Sequence, residues 1–273
     1  MKLFISFFLI TMLVFSSCSK KDSAENQTAG EQQTTSKEIS YMVDTTTMKG
    51  YIAYPRDADV KSPGILVVHE WWGHNAYARK RADMLADLGY VALAVDMYGD
   101  GKQADHPKDA QKFAMSVMGN FETAKARFAK ALETLKADPR VDPDKIGAIG
   151  YCFGGSVVLS MVNSGFDLNA AAAFHPGLQL PVQPEKGRIK TKVLVCNGGA
   201  DPMVTEEQIA NFKQSMEDAG VDYKFITYEG AKHAFTNPDA TELGKKFELP
   251  IAYNEKADKA SWEEMKKLFA SVF

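Results

Sequence analysis

Cysteine is scarce in this sequence, and so are dense runs of basic residues. The 273 residues include three cysteines, Cys18, Cys152 and Cys196, which are too few and too scattered for a disulfide framework or a structural zinc site. Lysine and arginine number 32 against 35 acidic residues, which gives a formal charge of −3. Because no basic patch follows from this balance, we expect no nucleic-acid partner.

Long apolar runs are lacking too. The stretch Leu3–Phe15 is broken only by Ser6 and Thr11, and it is shorter than the roughly 20 residues that span a bilayer as a helix. At 45% hydrophobic and 25% charged, the composition fits a globular protein with a sizeable core. We therefore predict no transmembrane span.

The N-terminus has the pattern of a secretory signal. Lys2 precedes the apolar stretch, and small residues lead to Cys18, which predicts a signal peptide over residues 1–17. The order Phe15-Ser16-Ser17-Cys18 resembles a bacterial lipobox, although Phe15 replaces the usual aliphatic residue, and the resemblance implies lipid on Cys18. The alternative is a buried or free Cys18 in a leader that is uncleaved or cleaved elsewhere.

Residues 18–37 are almost free of apolar side chains, which predicts a flexible tether that carries the lipid. From residue 38 to residue 273, short β-branched runs alternate with longer amphipathic segments. This alternation is typical of βαβ units, so we predict one α/β domain with a mostly parallel central sheet and helices on both faces.

The same patterns predict the individual strands and helices. The polar segment 236–254 shows no clear period and is predicted as a loop over a site. The predicted strands are 39–43 and 50–54, which form a hairpin, then 65–69, 91–95, 145–149, 170–174, 193–196 and 223–228; the predicted helices are 79–88, 108–136 with a break at 119–120, 154–162, 206–219 and 258–269.

A motif for a nucleophile follows the predicted strand 145–149. The residues Gly150-Tyr151-Cys152-Phe153-Gly154-Gly155 lead directly into a predicted helix, which is the context that a G-x-nucleophile-x-G turn requires. Glycines allow the sharp turn, and the helix N-terminus favours the thiolate form of Cys152. The alternative is a buried structural cysteine.

A thiol nucleophile requires a base and a residue that orients the base. In the α/β-hydrolase order of nucleophile, acid and histidine, the sequence offers Cys152, Asp201 and His233. Asp201 and His233 each follow a predicted strand, at the edge where an open α/β sheet holds its active site. Taken alone, each would be interpreted as an ordinary loop residue.

No metal or cofactor is expected. His69-Glu70 and His74 are spaced one residue wider than the zinc motif H-E-x-x-H, and they lie at a strand end rather than on a helix. His106 and His175 are interpreted as structural or solvated residues.

With these motifs, the sequence resembles the dienelactone hydrolase family, α/β-hydrolases with a Cys-Asp-His triad, from about residue 51 to residue 269. The motifs that carry the resemblance are His69-Glu70-Trp71-Trp72-Gly73, Asp96-Met97-Tyr98, Gly150-Tyr151-Cys152-Phe153-Gly154-Gly155, Gly198-Gly199-Ala200-Asp201 and Gly230-Ala231-Lys232-His233-Ala234-Phe235.

The resemblance implies roles for further residues. It implies that Glu70 keeps the cysteine as a thiol until substrate arrives and then helps to produce the thiolate; the alternative is a loop carboxylate that faces water. The implied oxyanion hole consists of the backbone N–H groups of Phe153 and Trp71. We also predict an apolar pocket, with ordinary core packing as the alternative; its predicted aromatic walls are Trp71, Trp72, Tyr98, Tyr151 and Phe235.

One departure bears on the substrate. Family members that act on dienelactone carry two arginines for the substrate carboxylate, and this sequence has Gly99-Asp100 at the first place and Thr236-Asn237 at the second. An acid there would repel a carboxylate, so the resemblance favours a neutral or differently charged ester, unless Lys102, Arg79 or Lys232 replaces the arginines.

The sequence thus predicts a thiol-dependent hydrolase of small esters or lactones, attached to the bacterial cell envelope only through its N-terminal lipid. Ser19 follows Cys18 in place of an aspartate of the inner-membrane retention type, so the resemblance to sorted lipoproteins implies the outer membrane. Two alternatives are a ligand-binding surface lipoprotein that keeps the fold without turnover, and a thiol redox protein that uses Cys152 with Cys196. The missing C-x-x-C motif disfavours the redox protein.

Overall fold

The structure is a computed structural model that describes residue 1, residues 35–56 and residues 60–273. The predicted lipidation site Cys18, most of the tether and the signal peptide beyond residue 1 lie outside the described residues. None of the helices within those ranges combines the length and hydropathy needed to cross a bilayer.

In the described part of the chain, eight strands and seven helices alternate. They are β1 (Thr35–Val43), β2 (Thr46–Tyr54), β3 (Ser62–Val68), α1 (Ala76–Ala86), β4 (Val91–Val95), α2 (Pro107–Met118), α3 (Phe121–Lys136), β5 (Val141–Tyr151), α4 (Phe153–Asn163), β6 (Ala170–Phe174), β7 (Lys192–Gly198), α5 (Glu206–Ala219), β8 (Tyr223–Tyr228), α6 (Ala240–Phe247) and α7 (Glu255–Ala270).

The strands form one mostly parallel sheet, in the order β1-β2-β4-β3-β5-β6-β7-β8. β1 and β2 form the predicted hairpin, and β2 pairs antiparallel with β4. All the later neighbours pair in parallel. The carboxyl ends of β3 to β8 therefore share one edge, where an open α/β sheet binds its ligands.

Helices cover both faces of this sheet, as predicted. Successive residues of a buried strand point to opposite faces, so Ala148 of β5 belongs to one core cluster and Ile149 to the other. The first cluster includes side chains of α3, α4 and α5, and the second includes side chains of α1 and α7. Burial on both faces explains why these strands are continuous apolar runs.

Several strands and helices begin earlier than predicted, and β1 and α1 show why. β1 begins at Thr35, three residues inside the predicted tether, because Thr35 to Lys37 pair with β2. α1 begins at Ala76 rather than residue 79, because the Asn75 side chain accepts hydrogen bonds from Tyr77 and Ala78 and caps the helix.

The segment 236–254 is not a continuous loop. It contains the short helix α6, whose Leu243 and Phe247 pack against the cluster around Trp72. An eight-residue helix shows too few turns for its period to be recognised in the sequence.

Candidate active site

Cys152 lies in the tight turn between β5 and α4. Its backbone φ of 52° and ψ of −116° fall in a region that residues with a Cβ rarely adopt. Two neighbouring glycines make the turn possible: a Cβ at Gly150 would collide with the carbonyl oxygen of Gly154, and a Cβ at Gly154 would collide with that of Val68. The predicted strand-turn-helix geometry is therefore present.

Asp201 follows β7 and His233 follows β8, so both lie at the same sheet edge as Cys152. His233 Nδ1 lies 2.7 Å from Asp201 Oδ2, and both side chains are buried. Because a carboxylate can only accept, Nδ1–H donates this bond and Nε2 remains available to Cys152, which lines the same cavity. The structure brings the three residues together in the order of a catalytic triad.

The electrostatics of His233 favour its protonated form. Burial lowers the pKa of the imidazole, but the charge of a Cys152 thiolate and the hydrogen bonds with Asp201 and Cys152 raise it well above its usual value. Cys152 and Asp201 are thus the two groups that favour the charged form of this imidazole.

Glu70 lies just beyond β3 and is buried. Its backbone is held by His69, whose Nδ1 donates to the Glu70 carbonyl oxygen at 2.5 Å and whose Nε2 accepts from the Met97 N–H at 3.2 Å. Burial lowers the pKa of His69 to about 4, so the ring is neutral and has one donor and one acceptor nitrogen.

The Glu70 carboxyl group has one paired oxygen. Oε2 accepts a hydrogen bond from Asn237 Nδ2 at 2.6 Å, whereas Oε1 is buried and has no hydrogen-bond partner among the described residues. Burial raises the pKa of Glu70 to about 7, partly offset by the Asn237 hydrogen bond and by the charges of His233 and Arg81. The carboxyl group does not face water, so the solvated-loop alternative is wrong.

A small cavity of about 60 Å³ opens between these groups. Its walls are mostly apolar; the residues that line it are Glu70, Trp71, Trp72, Cys152, Met203, His233, Ala234 and Ile251. Sequence reasoning identified the two tryptophans but missed Met203, Ala234 and Ile251. Ile251 reaches the site through a bridge between its backbone and that of His233, a long-range pairing without a local sequence signal.

Three predicted pocket residues lie elsewhere. Tyr151 stacks on Phe174 at 4.8 Å between ring centroids. As the last residue of β5, directly before Cys152, it packs into the core on the α1 and α7 face of the sheet. Phe235 packs edge-on against the His175 ring at 5.1 Å. Tyr98 lies behind Trp71 and donates to its carbonyl oxygen at 2.9 Å, so it supports the pocket without lining it.

The predicted oxyanion donors lie beside the nucleophile. Phe153 is the first residue of α4, so its N–H has no acceptor within the helix. Trp71 lines the same cavity as Cys152, and the turn that carries it is closed by a hydrogen bond from the Gly73 N–H to the Glu70 carbonyl oxygen at 3.2 Å.

The basic residues considered as replacements for the family arginines are engaged elsewhere or exposed. Arg79 pairs with Glu38 at 2.7 Å, and Lys102 pairs with Asp100 at 3.2 Å. Lys232 is exposed. Among the described residues that line the cavity, none is a lysine or an arginine.

A buried polar network lies behind His233, and sequence reasoning missed it. The Thr236 hydroxyl is 2.7 Å from His175 Nε2 and 2.6 Å from the Tyr77 hydroxyl, and Arg81 donates to the Thr236 carbonyl oxygen at 2.7 Å. The His175 ring packs edge-on against His233, 5.3 Å between centroids. His175 is therefore a structural residue, as predicted, and the network supports the turn that carries His233.

Cys196 has no partner thiol among the residues that the structure describes. Cys152 and Cys196 are both free, and the Cys196 sulfur lies buried at the end of β7, 3.7 Å from the Tyr228 hydroxyl. Burial raises the pKa of Cys196 to about 12, which keeps it an unreactive thiol.

Two solved structures and one curated protein are similar to this chain. A structure named m3DLH is 38% identical and matches with a TM-score of 0.83, over 88% of this chain and 99% of its own. A dienelactone hydrolase-like promiscuous phosphotriesterase from metagenomic libraries is 33% identical, with a TM-score of 0.80 and the same coverage. Protein usf of Aquifex pyrophilus is 31% identical over 73% of this chain and 86% of its own.

The family comparison covers the whole region that contains the site. The sequence profile of the dienelactone hydrolase family matches residues 48–273, which include Glu70, Cys152, Asp201 and His233. The match confirms the resemblance inferred from the motifs. The chain belongs to the dienelactone hydrolase family and is a hydrolase with that family's α/β fold.

Proposed function

We propose that the protein hydrolyses small carboxylic esters or lactones with Cys152 as the nucleophile. The observation that carries the proposal is the arrangement of one cavity: Cys152 on its strained turn and His233 line it together, and Asp201 holds the His233 ring through Nδ1 at 2.7 Å. A nucleophile, a base and a residue that orients the base are the parts that acyl transfer requires.

In the proposed first half-reaction, His233 Nε2 takes the proton from Cys152 Sγ, and the thiolate attacks the carbonyl carbon. The backbone N–H groups of Phe153 and Trp71 stabilise the negative charge that develops on the carbonyl oxygen. The bond to the leaving oxygen then breaks, and that oxygen takes the proton from His233. The product is an alcohol and a thioester on Cys152.

In the second half-reaction, His233 takes a proton from a water molecule, and the resulting hydroxide attacks the thioester. The bond to sulfur breaks, the carboxylic acid leaves, and the thiolate of Cys152 remains beside protonated His233. Throughout, Asp201 holds the imidazole in one orientation and stabilises its charge. Glu70 is the fourth proposed catalytic residue: its buried carboxyl keeps Cys152 as a thiol until substrate arrives and then favours the charged His233 that forms when the imidazole takes the thiol proton.

The substrate preference follows from the walls of the cavity. A small, mostly apolar space suits a short uncharged acyl group. Because no lysine or arginine of the described chain lines it, we propose a neutral ester or lactone rather than dienelactone, whose carboxylate would lack a cationic partner.

The test is hydrolysis of p-nitrophenyl acetate and a panel of small neutral lactones by the wild type and by Cys152→Ala. We expect turnover in the wild type and none above background in the variant. A carboxylate-bearing lactone is expected to be the poorer substrate. Equal rates in both proteins would exclude Cys152 as the nucleophile, and absence of turnover with every ester would favour the ligand-binding alternative.

We also propose that the mature protein is attached to the bacterial cell envelope through lipid on Cys18. The support is the order Phe15-Ser16-Ser17-Cys18 after a short apolar run. In a diderm host, metabolic labelling with a fatty-acid analogue and membrane fractionation test this proposal. We expect label in the wild type, mainly in outer membranes, and none in Cys18→Ala; label that persists in the variant would contradict the proposal.

A further inference from the structure

One residue in the wall of the catalytic cavity differs from the others. Among the described residues that line it, Met203 alone is exposed, with 42% of its surface accessible. The rest of the wall is packed from behind: Trp72 contacts Phe247 of α6, and Ala234 and Ile251 belong to one buried cluster. Met203 therefore lies at the mouth of the cavity, between its interior and solvent.

The backbone of Met203 is held in place, although its side chain is exposed. Its N–H donates to Asp201 Oδ1 at 2.8 Å, while Oδ2 of the same carboxylate holds His233 at 2.7 Å. Two residues later, Thr205 begins α5 with a capping box that includes Gln208. Because the backbone is tied to this carboxylate and to a helix, movement at the mouth is left to the Met203 side chain.

The cavity is small for an ester substrate. Its volume of about 60 Å³ is roughly that of two water molecules in the liquid, whereas sites for small molecules commonly enclose about 300–1,000 Å³. An acetyl group is therefore about the largest acyl group that this space can hold. A longer acyl chain has to displace part of the wall.

The Met203 side chain is the part of the wall that gives way most easily. Displacing Trp72 or Ile251 would disrupt close packing in the interior, whereas an exposed methionine is unbranched and has three rotatable bonds. Any movement of this side chain away from the cavity still sacrifices the apolar contacts that it makes there. The acyl group beyond acetyl thus competes with Met203 for the same space.

We propose that Met203 is the residue that determines the acyl specificity of this site: its side chain limits the cavity to acetyl-sized groups and disfavours esters of longer acids. The proposal rests on the proposed function, because the acyl group in question is the one that Cys152 would carry as a thioester. It assigns the protein to the hydrolases of short-chain acyl esters.

The first experiment measures kcat/KM for the p-nitrophenyl esters of acetic, butyric and hexanoic acid. The full-length wild type is compared with Met203→Ala and Met203→Leu. Alanine removes the side chain beyond Cβ but keeps the backbone N–H that Asp201 accepts, and leucine nearly conserves the volume. The matched control is Met115→Ala, which removes a methionine of α2 that is 64% exposed and lies outside the cavity wall.

We expect the wild type to prefer acetate to butyrate. In Met203→Ala, the butyrate-to-acetate ratio of kcat/KM should rise about tenfold, because each methylene group that is newly buried strengthens binding about fourfold. Met203→Leu and Met115→Ala are expected to keep the wild-type ratio. An unchanged ratio in Met203→Ala would overturn the proposal, and so would an equal rise in Met115→Ala.

A second series varies the alcohol and keeps the acyl group constant. Hydrolysis of ethyl, butyl and hexyl acetate is followed by the release of acetate. We expect Met203→Ala to leave the relative rates within this series as they are in the wild type. A change in this series without a change in the acyl series would place Met203 beside the leaving group and overturn the assignment to the acyl group.

Alkylation of Cys152 distinguishes this proposal from the proposed hydrolysis. Iodoacetamide and its N-hexyl derivative react with a thiol without ester turnover, and mass spectrometry of the peptide that contains Cys152 measures both rates. We expect the wild type to disfavour the N-hexyl reagent, and Met203→Ala to reduce this discrimination about tenfold. Reduced discrimination without ester turnover would refute the proposed hydrolysis and support Met203 as the limit of the cavity. Ester turnover with an unchanged acyl preference would refute the role of Met203 alone.

Discussion

At the scale of single residues, the carboxyl group of Glu70 links the site to the stability of the fold. Burial raises its pKa from 4.5 to about 7, so between these values the folded protein binds a proton that the unfolded chain releases. Stability therefore falls as pH rises through this range, because the folded state increasingly contains a buried carboxylate. Above pH 7 the full penalty is present, and below pH 4.5 it is absent.

Glu70→Gln is expected to stabilise the protein in a pH-dependent way. At pH 8 the variant should be more stable than the wild type by about 2–3 kcal/mol, since it avoids the buried charge and keeps the hydrogen bond from Asn237. At pH 4.5 most of this difference should disappear. Urea unfolding at the two pH values measures it, and a difference of the same size at both would show that Glu70 does not titrate between them.

At the scale of elements, the turn between β5 and α4 depends on the absence of a side chain at Gly154. A methyl group there would strike the carbonyl oxygen of Val68, the last residue of β3, and that of His69 just beyond it; the β3 backbone cannot move without disturbing the pairing of the sheet. We expect Gly154→Ala to destabilise the protein by about 3 kcal/mol and to abolish turnover. The control is Gly177→Ala, whose new methyl would meet only Ser156 Oγ at 3.3 Å; similar losses in both variants would contradict this view of the turn.

The helix α6 supports one wall of the cavity from outside. The Phe247 ring packs against Trp72 with 6.1 Å between centroids, so Phe247→Ala should loosen Trp72 while leaving the triad intact. We expect KM for a small ester to rise about fivefold, which corresponds to about 1 kcal/mol of lost binding, with kcat nearly unchanged. Lys245→Ala, on the exposed side of the same helix, serves as the control; an equal rise in KM there would argue against the packing effect.

The same elements show what the sequence could and could not predict. The bounds of α5 match the prediction because the signals are local: Thr205 and Gln208 form a capping box, and Gly220 adopts the left-handed conformation at the C-terminal end. α6 was missed because it is short and its N-cap, Asp239, makes no side-chain hydrogen bond. β1 begins early because its first residues are held by pairing with β2, a non-local interaction.

The residues of the candidate site also fall into those that the sequence could predict and those that it could not. Cys152, Asp201 and His233 could be predicted because each lies in a short motif at a strand end, and their chain order restricts the choice. The bond between Asn237 and Glu70 joins residues 167 positions apart, and no spacing rule connects them. The cavity walls were only partly predicted, because the face on which a side chain lies depends on the strand or turn that carries it.

At the scale of the whole molecule, Arg81 connects early and late parts of the chain. It lies on α1, pairs with Asp258 of α7 at 2.6 Å, and donates to the carbonyl oxygen of Thr236, three residues beyond His233. Its guanidinium also lies 5.2 Å from the Tyr77 ring centroid and 5.3 Å from that of Tyr151. One buried cation thus fixes the spacing of two helices and of the turn that holds the base.

Arg81→Met is therefore expected to be severely destabilising. The substitution fills much of the same volume but leaves the largely buried Asp258 carboxylate without its cation, which costs about 3–5 kcal/mol when a buried pair is broken. The matched control is Arg79→Met, two residues earlier on α1, whose pair with Glu38 is largely exposed, with 33% and 69% of the two side chains accessible. There we expect a change within about 1 kcal/mol. Urea unfolding at neutral pH compares the stabilities of Arg81→Met and Arg79→Met.

Replacing Asp258 by leucine together with Arg81→Met should recover part of the lost stability, because no unpaired charge remains. If Arg81→Met costs no more than Arg79→Met, the buried pair does not hold the two helices together.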